Sequence, residues 1–596
     1  VTAAHDEDAI GRFDRNLLRR LLAYATPHKR LFASSVLVLF LGFGVELIGP
    51  TIVQAAIDGP IAGYLAGTLD FADARAGLLL WIGAYVAALV VIAWVRYGEV
   101  TLMAATGQAV VLDIRKALFR HLQALSPSFY DKNPVGRLVT RVTGDVEALN
   151  ELFTSGVVIL IRDVVKILGV VAFLFWIHAG LALIVCIFVP PLVGISLAFR
   201  NQARSSHHLV RGKNALLNGY TTEAVMGMRV IQLFGQEGKA RAKFAKLTDD
   251  YLRANLRTIF WFALFYPLVE LVLYAMEGTI IWRAAHAISL DTLTPGRLLQ
   301  FWLVVEVMAG PIRELGEKYN VLQAAMASSE RIFRVLDTPS EVRPPAEPRS
   351  PRVAQRGAIR FEKVAFSYDG VTPVLHGIDF AAAPGEKIAL VGATGAGKST
   401  VISLLARFYD AQSGRITVDG QDVRDYDPRE LRRRIAVVPQ DVFLFAGTIE
   451  ENISLGREGI DHARVVRAAE AVLASRFIER LPGGYAAPVA ERGATFSTGQ
   501  RQLLAFARAL AGDPDIIVLD EATAHIDTET EDWIQEGLKH LLEGRTAVVI
   551  AHRLSTITSS DRILVFHHGE IREIGTHAEL LTQNGIYARL YRLQFA

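Results

Sequence analysis

Cysteine is nearly missing from this chain: Cys186 is the single one in 596 residues. That excludes a disulfide framework and any metal cluster built from thiolates. Charge is scarce too. Only 21% of residues are Asp, Glu, Lys or Arg, and 63 basic against 61 acidic side chains leave a formal net charge of +2. Such a balance offers no general attraction to polyanions, so nucleic acid is not an expected partner. With 48 glycines and 22 prolines, the chain is neither collagen-like nor of low complexity. Apolar residues, by contrast, are abundant. A hydrophobic content of 51% and a mean hydropathy of +0.29 exceed what an ordinary soluble enzyme of this length carries. At roughly 150 residues per domain the length implies several units, and the composition implies a membrane protein with a soluble part attached.

A bilayer core takes roughly 20 apolar residues per spanning helix. Six stretches qualify: 31–57, 76–95, 156–177, 181–199, 259–281 and 298–311. The last meets Gly310-Pro311, which predicts a kinked or continuing helix. No leader segment is expected ahead of the first. Residues 14–22 instead read as an amphipathic helix on the membrane surface, the alternative being a packed soluble helix. Arg115, Lys116, Arg120, Lys132, Arg137 and Arg141 follow the second stretch, and ten Lys and Arg from Arg204 to Arg257 follow the fourth. The opposite connections are short or acidic. The excess of basic residues therefore puts both termini and the two long loops in the cytoplasm, with helices extending beyond the bilayer, in a multi-pass protein of the inner (cytoplasmic) membrane.

The character changes after Thr338. A Pro-rich, charged stretch reads as an extended linker. Beyond it, short β-branched runs alternate with amphipathic helices, the mark of an α/β domain. The expected organisation is a transmembrane domain over 1–337, a linker over 338–355 and an α/β domain over 356–596.

In the last of these, the buried run Ile388-Ala389-Leu390-Val391 enters Gly392-Ala393-Thr394-Gly395-Ala396-Gly397-Lys398-Ser399-Thr400 and then a helix. Glycines let backbone N–H groups converge on phosphate oxygens, and the helix start adds a favourable dipole. Lys398 suits the β- and γ-phosphates, and the Ser399 hydroxyl suits Mg²⁺. A second buried run, Ile516 to Leu519, ends in Asp520-Glu521. Asp520 is placed to hold Mg²⁺ and Glu521 to polarise an attacking water.

With these pieces in place, the cytosolic part resembles the nucleotide-binding domain of an ABC transporter. Tyr368 matches the aromatic that stacks on adenine. Gln440, in Val438-Pro439-Gln440-Asp441, matches the glutamine that senses Mg²⁺ and the attacking water. Ser497, Thr498, Gly499 and Gln500 stand where the family's signature stands, behind Glu491-Arg492-Gly493, similar to an exporter-specific loop. Asp527 matches the loop that crosses to the partner domain, and His552 the switch histidine on the γ-phosphate. The resemblance implies ATP and Mg²⁺ as cofactors, with Gly392, Thr394, Gly395, Ala396, Gly397, Lys398, Ser399 and Thr400 around the phosphates. Glu521, His552 and Gln440 would be catalytic, and Ser399, Gln440 and Asp520 would lie around the metal.

The membrane half resembles one half of an exporter: six helices with long cytoplasmic extensions ahead of a P-loop domain. Residues 128–137 and 217–223 resemble the family's two intracellular coupling helices, and Asn133-Pro134 favours a turn with a short helix beginning at Pro134. One chain supplies half of a transport pathway and one nucleotide domain, so the resemblance implies a second half-transporter. Thr498 stands where the family usually has glycine, and Phe496 where it has leucine. Beside an intact Glu521 this resembles one half of heterodimeric multidrug exporters, a homodimer being the alternative. The expected activity is ATP-driven export of hydrophobic or amphiphilic compounds, or the flipping of a lipid or glycolipid by the same engine.

Ionisable residues within spans are costly and are functional candidates. Glu46, Glu270 and Glu306 fall near mid-span and, facing one cavity, would suit cationic amphiphiles. Asp163 and Lys166, at i,i+3, are spaced to pair with each other.

Overall fold

The computed structural model describes residues 15–290, 292–349, 356–520, 528–551 and 553–595. The chain forms two compact units: one of residues 1–122 and 136–337, the other of residues 123–135 and 338–596.

The first unit is built from long helices. Lys29–Glu46 and Ile48–Ala56 form the first, interrupted at Leu47, and Phe71–Ala124, Glu237–Ser289 and Pro295–Leu336 are continuous. Val157–Met226 is continuous except at His178, whose backbone is extended (φ −162°, ψ 105°). There the His178 ring accepts from the Leu181 N–H at 3.2 Å, starting a second helix as an N-cap does. The third and fourth spans are thus the two arms of a hairpin. At 1.5 Å per residue, the 54 residues of Phe71–Ala124 extend about 80 Å, against a hydrocarbon core of about 30 Å. The final helix does not stop at Gly310-Pro311 but runs on to Leu336.

Among the described residues, four helical stretches are apolar and long enough to cross a membrane: 19–65, 71–124, 162–199 and 237–289. Trp94, Trp176 and Trp282 on them are each more than 70% exposed. Side chains of this size face outward when lipid, not water, is the surrounding medium.

Polar contacts fix the ends of the bundle. Asp58 accepts from the Thr294 hydroxyl at 2.6 Å and the Gly296 N–H at 2.9 Å, capping the Pro295–Leu336 helix from 236 residues away. At the other end, Arg20 on the Arg15–Ala25 helix makes a bidentate pair with Asp337 at 2.7 Å and lies over the Phe333 ring. Leu21 is fully buried. The amphipathic helix foreseen near the N-terminus therefore spends part of its apolar face on protein.

Residues 217–223 lie inside Val157–Met226, and the short helix before Glu237–Ser289 is Met228–Leu233. Residues 217–223 hold no breaker strong enough to end a helix, whereas Gly227 ends one and Gly235, at φ 61°, permits the turn into the next. Residues 217–223 therefore continue the long helix, and a separate short helix follows at Met228–Leu233. The first segment holds two short helices, Pro127–Lys132 and Val135–Thr140, separated at Asn133-Pro134.

The second unit is α/β. Its strands are β1 (Ile359–Phe366), β2 (Leu375–Ala382), β3 (Lys387–Gly392), β4 (Ser413–Val418), β5 (Gln421–Asp422), β6 (Ile435–Val438), β7 (Gly447–Thr448), β8 (Pro488–Val489), β9 (Ile516–Asp520), β10 (Thr546–Ile550), β11 (Arg562–His567) and β12 (Glu570–Gly575). An antiparallel sheet has the order β2-β1-β4-β5, and a larger sheet the order β12-β11-β3-β10-β9-β6. In the larger sheet only β12 runs antiparallel to its neighbour. Its central strands are apolar throughout because both faces are covered. Ile388 and Leu390 face a core shared with Phe361, Phe380 and Val401. Ala389 and Val391 face another, shared with Leu503, Phe506 and Leu519. The 338–349 stretch is irregular but tied down: Arg407 donates to the Arg343 carbonyl at 2.9 Å and Gln421 to that of Arg349 at 2.6 Å.

Candidate nucleotide site

Parallel register brings the carboxyl ends of four adjacent strands to one edge. Leu390 of β3 pairs with Ile550 of β10, Ile550 with Asp520 of β9, and Leu519 with Val438 of β6. β3 leads into the glycine loop, β9 ends on Asp520 and β6 leads to Gln440. Glu521, Asp527 and His552 lie outside the described residues. In sequence, Glu521 follows β9 directly and His552 is two residues past β10. A crevice beyond the carboxyl ends of parallel strands is where α/β sheets bind ligands.

The loop itself is a phosphate cradle. Gly395 and Gly397 have φ of 81° and 99°, and a Cβ on Gly397 would sit 2.7 Å from Leu375 Cδ2. Only glycine meets both demands. Gly397 precedes the Lys398–Leu405 helix, whose free N–H groups face the loop. Lys398 Nζ donates to the carbonyls of Gly392 at 2.7 Å and Ala393 at 2.9 Å. Burial lowers its pKa, opposed by the charge of Asp520. Ser399 is exposed and Thr400 buried. Tyr368, 42% exposed, has its hydroxyl 3.2 Å from Thr400 Oγ1. These residues fit a nucleotide polyphosphate: amides, a cation and a hydroxyl converge, with an aromatic ring at one side.

The signature segment stands at the start of another helix, Thr498–Ala511. Ser497 is its N-cap, accepting from the Gln500 N–H at 3.2 Å while Gln500 Oε1 accepts from the Ser497 N–H at 3.0 Å, a capping box. Thr498 is exposed at the first helical position, its hydroxyl accepting from Arg501 at 3.3 Å, and Gly499 is buried. Phe496 packs toward Phe477 at 6.2 Å between ring centroids, so the larger residue in place of leucine is absorbed by the core.

Residues 32–312 match the family described as ABC transporter transmembrane region, and residues 375–524 the one described as ABC transporter. The chain belongs to the ABC transporter family. An ABC transporter ATP-binding protein of Bacillus subtilis, YknV, is 40% identical over 97% of this chain and 94% of its own length. The ATP-dependent lipid A-core flippase of Chromohalobacter salexigens is 36% identical over 97% and 98%. The solved structure of a bacterial Atm1-family ABC exporter with ATP bound superposes with a TM-score of 0.76 at 28% identity, covering 98% of this chain and 99% of that one. The protein is thus an ABC exporter half-transporter: a multi-pass membrane domain fused to a nucleotide-binding domain that hydrolyses ATP to drive transport, and it works as a dimer.

In the membrane unit of this exporter, a cavity of about 190 Å³ is lined by Glu46, Arg96, Glu99, Arg162, Lys166 and Glu306, with an apolar wall that includes Phe43, Ile92 and Val95. Glu46 accepts from Lys166 at 2.5 Å and Arg96 at 3.0 Å. Arg162 bridges Glu99 at 2.8 Å and Asp163 at 3.1 Å. Lys166 therefore pairs across helices with Glu46 and not, as spacing suggested, with Asp163. Glu46 and Glu306 share this cavity. Glu270 is exposed on the Glu237–Ser289 helix and is not among its lining residues. Arg96 and Glu99 escaped the sequence reading because they lie just past the apolar stretch ending at residue 95. Their i,i+3 spacing at that boundary was the available signal.

Proposed function

We propose that this half-transporter exports amphiphilic compounds, an apolar body with a charged headgroup, across the inner (cytoplasmic) membrane. The observation that carries this reading is the membrane-unit cavity, where an apolar wall meets charges of both signs. Its volume of about 190 Å³ suits a headgroup and not a whole drug-sized molecule, so the apolar body of the cargo would lie outside it. Three acids (Glu46, Glu99 and Glu306) stand against three bases (Arg96, Arg162 and Lys166) along its lining. Glu46 is engaged by Lys166 and Arg96, and Glu99 by Arg162, while Glu306 has no ion pair among the described residues, so its carboxylate favours a cationic headgroup on a multidrug-type cargo.

Flipping of a lipid or glycolipid is the second reading, supported by relatives named lipid A-core flippases. ATP hydrolysis in proteoliposomes separates the two. Stimulation by a cationic dye, together with dye uptake into inside-out vesicles, supports drug export. Stimulation by a phosphoglycolipid without dye uptake supports the flippase.

In the nucleotide site, Tyr368 stacks on adenine, and Gly392, Thr394, Gly395, Ala396, Gly397, Lys398, Ser399 and Thr400 surround the phosphates. Ser399, Gln440 and Asp520 hold Mg²⁺, which neutralises phosphate charge when bound. Glu521 polarises water, Gln440 senses Mg²⁺ and the attacking water, and His552 is the switch on the γ-phosphate. Ser497, Thr498, Gly499, Gln500 and Asp527 complete the site of a partner. Glu521→Gln is expected to retain ATP and stop turnover. Unchanged hydrolysis by the purified dimer would refute the assignment.

Two features support a second chain. Val225, Met226, Met228, Val230, Leu233 and Phe234 all lie exposed around the Met228–Leu233 helix, an apolar tip that needs cover in water. Thr498 adds a Cβ where backbone would approach phosphate, which favours a heterodimer whose partner supplies the better signature. Purification from native membranes tests this: a different chain of similar size should co-purify, and a single species would make it a homodimer.

A further inference from the structure

Tyr409 belongs to no motif that marks the nucleotide site, yet it touches two parts of the second unit that matter. Its ring packs edge-on against Tyr368 at 5.1 Å and 88°, and against Phe366 at 5.5 Å and 66°. Phe366 in turn meets Tyr368 at 4.9 Å and 88°. The three rings form one block that includes the proposed adenine platform, Tyr368. The Tyr409 hydroxyl donates to the carboxylate of Asp131 on the Pro127–Lys132 helix. Burial, and then Asp131, push the Tyr409 pKa well above the ordinary phenol value, so the group remains a donor at any working pH. A hydrogen bond to an ionised acceptor is among the stronger kinds.

A second grip lies on the same helix. Lys132 Nζ donates to Glu341 at 3.1 Å, and the Ser128 hydroxyl, followed by Lys132, holds the Glu341 carboxyl below its usual range. Residues 123–135 interrupt two stretches of the membrane unit in sequence, but they pack with the nucleotide-binding unit.

We propose that Tyr409 is a positioning residue that couples adenine occupancy at Tyr368 to the hold on the Pro127–Lys132 helix. This rests on the reading of Tyr368 as the adenine platform. A base stacked on the exposed face of Tyr368 restricts that ring. Tyr409, packed edge-on to it, loses freedom with it, and its hydroxyl is then kept on Asp131. Coupling of this kind is reciprocal: whatever the base adds to the hold on the helix, the held helix returns to the affinity for the base. The phosphates bind at the glycine loop, which meets the ring block at Thr400, 3.2 Å from the Tyr368 hydroxyl. The base stacked on the ring, and not that contact, carries the effect, so the triphosphate alone should not produce it.

Hydrogen exchange on the full-length protein in nanodiscs, without Mg²⁺ so that hydrolysis does not intervene, tests the coupling. Each variant is saturated according to its own measured ATP affinity. In the parent, ATP is expected to slow exchange of residues 127–133 by about five-fold or more, the low end of usual coupling. Inorganic tripolyphosphate, which fills the loop but lacks a base, should not. Tyr409→Phe keeps the ring and removes the hydroxyl, so it should bind ATP yet lose the slowing. Asp131→Asn, which still offers an acceptor oxygen, should retain part of it.

Slowing that persists in Tyr409→Phe, slowing by tripolyphosphate, or no slowing in the parent would each overturn the proposal. Tyr368→Ala keeps its failure distinct from that of the platform reading. If Tyr368→Ala binds ATP as tightly as the parent, the platform reading falls and the coupling with it. If Tyr368→Ala weakens ATP while Tyr409→Phe still shows slowing, only the coupling falls.

Discussion

Asp145 and Arg331 hold together two segments of the membrane unit that lie far apart in sequence, and the pair offers a quantitative test of that packing. Arg331 donates to Asp145 through Nε at 2.9 Å and Nη2 at 2.5 Å, and the Ser328 hydroxyl adds a bond at 3.1 Å. The Asp145 side chain is 9% exposed and that of Arg331 45%. Breaking a fully buried pair by removing one partner costs about 3–5 kcal/mol, and an exposed pair is worth about 0–1 kcal/mol. Asp145→Ala lies between these limits because the stranded guanidinium can be rehydrated, so we expect a loss of about 2 kcal/mol. Large domains shift by roughly 2–4 °C per kcal/mol, less as size grows, which predicts a fall in Tm of about 3–5 °C. Tryptophan fluorescence of the detergent-purified protein during heating reads it. Arg331→Met should cost more than Asp145→Ala, because it strands a carboxylate that is only 9% exposed, and the double variant should cost less than the sum. Strict additivity of the two single effects would show that the pair contributes nothing and refute this account.

Three further outcomes are expected. Gly397→Val places a β-branched residue at φ 99° and against Leu375, so ATP affinity, measured with a fluorescent analogue, should fall by at least about ten-fold, the equivalent of roughly 1–2 kcal/mol of left-handed strain. Lys398 has its pKa lowered by burial and binds phosphate as the cation. Mg²⁺-free ATP affinity should therefore be flat below that lowered value and decline as pH rises through it, short of the ordinary lysine value. Lys398→Met should bind weakly and without that decline, and an identical decline would assign it to another group. Glu46→Gln takes the carboxylate from Lys166, whose side chain is 13% exposed. It should destabilise the membrane unit by about 2–3 kcal/mol, with partial recovery in the Glu46→Gln, Lys166→Met double variant, measured by thermal unfolding in detergent.

The glycine loop was legible because its chemistry is local: a buried run, glycines that must reach positive φ, a lysine and a hydroxyl follow one another within 13 residues from Ile388 to Thr400. The end of β9 at Asp520 was equally plain. Periodicity located the apolar helices and the gap at 178–180 between the third and fourth, where His178 divides a helix by its own backbone. Residues 217–223, similar to a coupling helix in sequence, lie within a helix that continues to Met226. Asp163 and Lys166 had ideal spacing, yet Lys166 found Glu46 on another helix, because a lysine beside a buried carboxylate takes the partner that three-dimensional packing presents.

By itself the sequence determined that this is a membrane-embedded, ATP-driven machine of two parts, since hydropathy, helix period and the phosphate loop all depend on neighbours within a few turns. Only the tertiary structure decided which charges share the membrane cavity, that Glu270 stands apart from Glu46 and Glu306, and that Tyr409 joins the nucleotide site to Asp131. Those relations link residues dozens to hundreds of positions apart, and no local propensity encodes them.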